Sequence, residues 1–191
     1  MKELNRREFL TLTGAAVVAL SLAGCGGPSA PPAPPAPTTS KEADLVAAIN
    51  KVWKKKYDAG QVTHEQLTLN QEAQGAIKIQ GGIFENAKEP VHKLTTEDMQ
   101  KLVGIQEWKT SLEKKYDLGG AAGISEPTGE DGNMEISLTF EYSCEDAEVQ
   151  KFVDKIMGYS LSRKAEFISI YCPVVQSKTY MIATVFWNKK A

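Results

Sequence analysis

The chain has 191 residues, 22 of them basic and 24 acidic, for a formal charge of −2 and a mean hydropathy of −0.30. A balance so near neutrality holds no excess of cations with which to grip nucleic acid or the anionic face of a bilayer. From Lys41 onward about 150 residues remain, enough for one domain with a real core and too few for two.

The chain opens with the paired Arg6 and Arg7, followed over residues 11–23 by an apolar run of small side chains. That is the layout of an export signal. A permanent span takes about 20 predominantly apolar residues, and Thr13 with Gly14 interrupts this run early, so it makes a poor membrane anchor by itself. The stretch "RREFL", with Arg6, Arg7, Phe9 and Leu10, resembles the twin-arginine motif that sends already folded proteins to export. Leu22-Ala23-Gly24-Cys25 resembles the lipobox of bacterial lipoproteins. The two resemblances imply that residues 1–24 are a signal peptide. Cleavage then leaves Cys25 as the N-terminus, carrying a thioether-linked lipid and acyl chains such as palmitate. One acyl chain holds a protein only marginally, whereas two or more anchor it stably.

Residues 25–40 pair that cysteine with "GGPSAPPAPPAPTTS", a linker without charge or large apolar side chains. Proline-rich chain extends by about 3.1 Å per residue, which would hold a domain roughly 45 Å from the membrane. Loss of Lys2, Glu3, Arg6, Arg7 and Glu8 leaves 19 basic and 22 acidic residues, a charge of −3.

Within residues 41–191, Thr39 and Glu42 make a capping box for a first helix whose Leu45, Ile49, Val52, Trp53 and Tyr57 recur at helical spacing. Lys54, Lys55 and Lys56 suit its C-terminal dipole as a solvated helix end, and Gly60 stops it. Leu67, Leu69, Ala73, Ala76 and Ile77 predict a second helix closed by Gly81 and Gly82. Thr95 with Asp98 starts a third, with Met99, Leu102, Ile105, Trp108, Leu112 and Tyr116 along one face. Residues 119–133, rich in turn formers, read as a long loop. Its Glu126, Glu130 and Asp131 lack the spacing of a calcium loop.

The segment "MEISLTFEY" then alternates as a strand over 134–142. Met134, Ile136, Leu138, Phe140 and Tyr142 face a core, while Glu135, Ser137, Thr139 and Glu141 form a wet face that could bind a ligand. Ser143 with Asp146 caps a fourth helix through Val149, Phe152, Val153, Ile156 and Met157. Two strands follow, 166–172 and 179–187, joined by a turn that includes Pro173, Gln176 and Ser177. The second is apolar on both faces, as a central strand is. These elements predict an α+β fold: an α-β-α sandwich with a three-stranded, largely antiparallel sheet and about four helices.

Cys144 and Cys172 are an even number in an exported chain and form a disulfide candidate. Closing that loop would stabilise the fold by about 3.6 kcal/mol in the chain-entropy model; the alternative is two buried thiols. If 134–142 and 166–172 flank a central last strand, they lie roughly 9–10 Å apart and Cys144 must bend inward to reach its partner. If the two strands are neighbours, the cysteines meet directly.

The chain carries few of the residue patterns that catalysis uses. With His64 and His92 alone, a histidine metal site would need carboxylates or water to complete it, and no metal or cofactor is expected. The chain has no nucleophile elbow, phosphate-binding glycine loop or Cys-x-x-Cys. Ser111 and Lys114 match Ser-x-x-Lys without its companion motifs. Glu135 and Glu141 stand about 20 Å apart on an extended strand and cannot act as a pair. No catalytic residue is assigned.

The order of elements and some local text resemble the CAP superfamily, the cysteine-rich secretory and pathogenesis-related fold. "LVAAINKVWKKKYDAG" is similar to its first helix and "LTLNQEAQGAIKIQGG" to its second; "MEISLTF" takes the place of the Glu-Asn-Ile strand and "TYMIATVF" that of the closing strand. A rival alignment puts Glu85-Asn86 at the Glu-Asn motif and Trp108 to Ser111 at Trp-x-x-Ser. The resemblance implies an α-β-α sandwich. In the first alignment only Glu135 meets the family's two-His, two-acid tetrad, which favours binding over catalysis.

Two expectations result. One is a lipoprotein of the cell envelope, tethered to a membrane through its N-terminal lipid, whose domain binds an envelope protein, a glycan or a small apolar ligand without catalysis, using the 119–133 loop and the wet strand face. The other is an envelope hydrolase with a site of scattered Glu, Ser and His residues, for which Glu135 would have to meet His64 or His92.

Overall fold

The computed structural model describes residues 40–85, 87–98, 100–101, 110–129 and 134–189. Arg6, Arg7, Phe9, Leu10, Cys25, the proline-rich linker and Thr39 lie outside the described residues, as do Met99, Leu102, Ile105 and Trp108 of the third predicted helix and Glu130 and Asp131 of the loop.

Helix α1 spans Lys41–Asp58 and buries Leu45, Ile49, Val52 and Trp53 on its apolar stripe. Ser40 is its N-cap, its hydroxyl accepting from the Ala43 N–H at 3.2 Å. Glu42, expected in the capping box, instead accepts from the Cys172 N–H at 3.3 Å. The lysine run is more than a solvated end. Lys55 and Lys56 reach Asp146 at 3.0 Å and Asp154 at 2.7 Å on helix α3, Asp146–Met157, while Lys54 pairs with Asp58 and Glu65. Most of these side chains are exposed, so the pairs steer orientation and add little stability. What binds α1 to α3 is apolar contact, since Val149, Phe152, Val153 and Ile156 are completely buried in the same core as Leu45 and Ile49. The cap of α3 is Glu145, without a side-chain bond, and Ser143 accepts from the Glu145 N–H. The expected Ser143–Asp146 box is therefore shifted.

The main sheet runs in the order β1-β5-β8-β3. Strand β8, Ile182–Asn188, is antiparallel both to β5, Phe167–Tyr171, and to β3, Tyr116–Ala122. Strand β1, Thr68–Leu69, lies parallel to β5 and makes four strands where three were expected. The doubly apolar last strand is central, as its composition predicts. Its second neighbour is a surprise: β3 occupies the start of the expected loop and includes Tyr116, expected at the end of the third helix.

A register shift between Leu118 and Ala121 marks a β-bulge at Gly119 and Gly120. Without a side chain, Gly120 brings the β3 backbone under the end of α3. Its N–H donates to Ser162 Oγ at 2.7 Å, and that hydroxyl donates to the Ile156 carbonyl at 2.9 Å. Ser162 belongs to a 3-10 turn, Ser160–Lys164, and is completely buried.

With the β8 edge taken by β3, the 134–142 segment stands outside the main sheet. Only Glu135–Ser137, β4, forms a ladder, and its partner is β2, Val91–Lys93. The expected alternation survives in the burial of Ile136 and Leu138, which join Ile77, Ile83, Phe84, Val175, Tyr180 and Ile182 in a smaller core. A hairpin of β6, Val174–Val175, and β7, Lys178–Thr179, turns through Gln176 and Ser177. Both turn residues have positive φ, 48° and 64°, as a tight two-residue hairpin of the primed type needs.

The capping box predicted at Thr95 is present in full. The Asp98 N–H donates to Thr95 Oγ1 at 3.2 Å, and the Thr95 N–H donates back to Asp98 Oδ2 at 2.9 Å. Residues 96–98, 100–101 and 110–112 are helical. Burial works to raise the pKa of Asp98, but the Thr95 hydroxyl, His92 and the Thr95 N–H together bring it down to about 2. A depressed carboxyl stabilises the fold above its ordinary value near 3.8 and loses that contribution as pH falls toward 2. The expected contribution is about 2 kcal/mol. Acid titrations followed by circular dichroism should show Asp98→Asn with lower stability at pH 6 and a flatter profile between pH 4 and pH 2.

Candidate functional site

The sheet presents two faces with different partners. Ile168, Ile170, Ala183 and Val185 point into the core of α1 and α3. The opposite face carries Phe167, Ser169, Tyr171, Ile182, Thr184 and Phe186, and helix α2, Gln71–Gly82, lies over it. Three features place α2. Asn50 clamps the chain ahead of it, accepting from the Leu67 N–H at 2.8 Å and donating to the Leu67 carbonyl at 3.0 Å. Asn70 caps it, accepting from the Ala73 N–H at 3.0 Å. Leu67 and Leu69, expected within the helix, thus precede it. Gln74 is buried and bonds both backbone groups of Ile170, continuing the edge pairing of β5 where the two-residue β1 ends.

A pocket of about 350 Å³ lies between this helix and the sheet. Its origin is a cross-strand row of small residues. Ser169 and Ala121 are the direct neighbours of Thr184 on either side, so the floor of the pocket is Ala121–Thr184–Ser169. The next row toward one end is bulky, Leu118–Phe186–Phe167, and Tyr116 packs edge-on against both phenylalanines at 5.2 and 5.7 Å. Toward the other end, Tyr171 and Ile182 close against Gly81, where an added Cβ would overlap the tyrosine ring. Ala73, Ala76, Ile77 and Gln80 recur along one face of α2 as the roof, with Leu112 beside them. Small side chains between large ones leave a space that neither row fills.

All eleven described residues that line it are uncharged. The polar ones are Gln80, Ser169 and Thr184. Ser169 is committed, donating to the Ala73 carbonyl at 3.1 Å. Ala121 is exposed, which puts the mouth on the β3 side. Gly119 and Ala121 come from the stretch expected to be a ligand-binding loop, so that stretch contributes to the pocket as a bulged edge strand.

The predicted wet face divides. Thr139 and Glu141 line a second cleft of about 470 Å³ with Phe140, Tyr142, Ser143, Glu148 and Lys151. Its charges are matched, Glu141 by Lys178 at 2.5 Å and Glu148 by Lys151 at 2.6 Å. Glu135 stands opposite Lys93 on β2, and Ser137 is held by Ser125. Neither histidine meets Glu135. His92 Nε2 contacts Asp98 at 2.8 Å, while His64 lies 3.0 Å from the Thr63 hydroxyl and 3.6 Å from Glu166. The Thr63 hydroxyl also lies 3.2 Å from the Arg163 carbonyl, where it can donate. Among the described residues no cluster of three or more His, Cys, Asp or Glu could hold a metal ion, and no helix is long and apolar enough to cross a membrane.

Cys144 and Cys172 are both free thiols, the first exposed and the second buried. Burial, reinforced by the Glu42 carboxylate, pushes the Cys172 thiol up to about 12. The Cys144 sulfur lies 3.3 Å from the Tyr142 hydroxyl. The thiolate is the reactive form, so iodoacetamide at pH 8 should label Cys144 well before Cys172. Peptide mapping of the native protein reads this order, and unfolding should abolish it.

The pocket was hidden in the sequence because its described residues come from five separate segments. One signal was available: Ala73 and Ala76 leave part of the sheet-facing side of this helix small. No protein-family model matches the chain, and neither a curated protein nor a solved structure does.

Proposed function

We propose that this chain is an exported lipoprotein, tethered to the cell envelope through lipid on Cys25, whose domain holds a small apolar ligand between α2 and the sheet without catalysing a reaction. The observation that carries the ligand reading is the pocket itself, about 350 Å³, whose described lining residues are all uncharged and whose floor of small residues lies between bulky rows. Its size falls at the lower end of small-molecule sites, and its mostly apolar lining with a few polar groups is typical of them. Helices on both sides of the sheet support an α-β-α sandwich, the architecture implied by the CAP resemblance. The anchor reading rests on the Arg6-Arg7 and Cys25 text and on the uncharged linker after it.

Methyl NMR on the whole chain in detergent micelles tests the ligand reading, because the alanine methyls report from inside the pocket whatever the ligand does in the micelle. Naphthalene should shift Ala73, Ala76 and Ala121 saturably, and Ala76→Phe should abolish the response at Ala73 and Ala121 with the circular dichroism spectrum unchanged. Shifts that never saturate, or that persist in the filled variant, would remove the pocket as a binding site. The anchor is tested by the intact mass of protein extracted from membranes: a chain beginning at Cys25 with added lipid supports it, and an unmodified full-length chain refutes it.

A further inference from the structure

We infer that the pocket selects uncharged ligands that pair an apolar body with one hydrogen-bonding group, and that Thr184 reads that group. This inference rests on the pocket being a ligand site. A threonine in the middle of a central strand ordinarily has its hydroxyl removed from water by packing or satisfied by a neighbour. Thr184 sits between Ala121 and Ser169, whose side chains are too short to cover it, and it remains half-buried at the pocket floor. Its backbone pairs within the sheet, but among the described residues no group takes a hydrogen bond from the Thr184 hydroxyl or gives it one. Ser169 beside it differs, because its proton is used on the Ala73 carbonyl. Gln80, on the roof, is the second polar group directed at this space without a partner among the described residues.

Charge decides the class. A carboxylate or ammonium entering this pocket would lose hydration and meet no counter-ion among the described residues, none of whose lysines, arginines, aspartates or glutamates lines it. A neutral amide, alcohol or carbonyl loses less hydration and recovers a hydrogen bond from the threonine hydroxyl. Fatty acids and amino acids are therefore disfavoured, and their neutral amides or alcohols favoured.

The test compares naphthalene, 2-naphthamide and 2-naphthoate against the whole chain in micelles, read at the methyls of Ala73, Ala76, Ala121 and Thr184. The expected order is 2-naphthamide tightest and 2-naphthoate at least tenfold weaker than it. Thr184→Val keeps shape and strand preference but deletes the hydroxyl. It should weaken 2-naphthamide by roughly fivefold, the size of one neutral hydrogen bond, and leave naphthalene unchanged. Naphthalene binding by the variant also shows that it is folded. Saturable naphthalene binding with no preference between amide and carboxylate, or with no loss in Thr184→Val, would overturn this inference and leave the pocket reading standing. No saturable shift with any of the three compounds would overturn both.

Discussion

Gly120→Ala should destabilise the domain by on the order of 4 kcal/mol, combining overpacking of about 1–3 kcal/mol with the disruption of a buried hydrogen-bonded pair of similar size. The added methyl would overlap the Ile156 carbonyl oxygen and stand 2.8 Å from Ser162 Oγ. Neither neighbour can withdraw freely. The carbonyl belongs to the last turn of α3, and the hydroxyl is pinned between that carbonyl and the Gly120 N–H. Relief requires either parting β3 from α3 or abandoning both bonds. In a domain of this size each kcal/mol lowers the melting temperature by about 2–4 °C, so thermal unfolding should fall by roughly 8–16 °C. Gly82→Ala is the matched control. Nothing lies within 4 Å of its added methyl, and the site is at the end of a helix. Alanine there should be neutral or stabilising by a few tenths of a kcal/mol. Equal losses in the two variants would contradict the close approach of β3 to α3.

Trp53→Ala should cost about 3–5 kcal/mol, the range for removing a large buried aromatic side chain. Trp53 is completely buried in the core between α1 and the sheet, and its indole N–H donates to the His64 carbonyl at 3.0 Å. The side chain therefore fills the core and also fastens the chain that leaves α1 for β1. Asn50, one turn earlier, fastens Leu67 in the same stretch. Because α2 begins directly after β1, this stretch sets where the pocket roof lies. Trp53→Phe retains most of the apolar contact and loses the hydrogen bond and the outer ring, so its expected cost is about half as great. Urea unfolding measures both variants. A further consequence concerns the site: near 25 °C the alanine variant should show weaker naphthalene binding than Trp53→Phe, because loosening the β1 connection frees the helix above the pocket.

These two residues show different degrees of legibility in the sequence. Trp53 sits on an apolar stripe of helical period, and its burial can be predicted from that stripe alone. Gly120 lies in a stretch whose composition reads as a loop, because glycine has low strand propensity and nothing local reveals a backbone packed against a helix carbonyl. A glycine inside a strand often marks a bulge or a close backbone approach, and here it marks both.

The helices α1 and α3, the strands near 166–172 and 179–187, the central place of the last strand and the Thr95–Asp98 box follow from local pattern. Amphipathic period, capping chemistry and burial on both faces are properties of neighbouring residues, so the sequence by itself determines them. The identity of the third main-sheet strand, the position of the 134–142 segment and the free state of Cys144 and Cys172 belong to the tertiary structure. Strand order depends on which backbone can reach the β8 edge, and the glycine bulge beneath α3 lets β3 win that edge over a segment with a stronger strand pattern. The pocket depends on register. Ala121, Thr184 and Ser169 are unremarkable in their separate segments, and they form a floor only because pairing across β3, β8 and β5 sets them side by side with bulkier rows at each end.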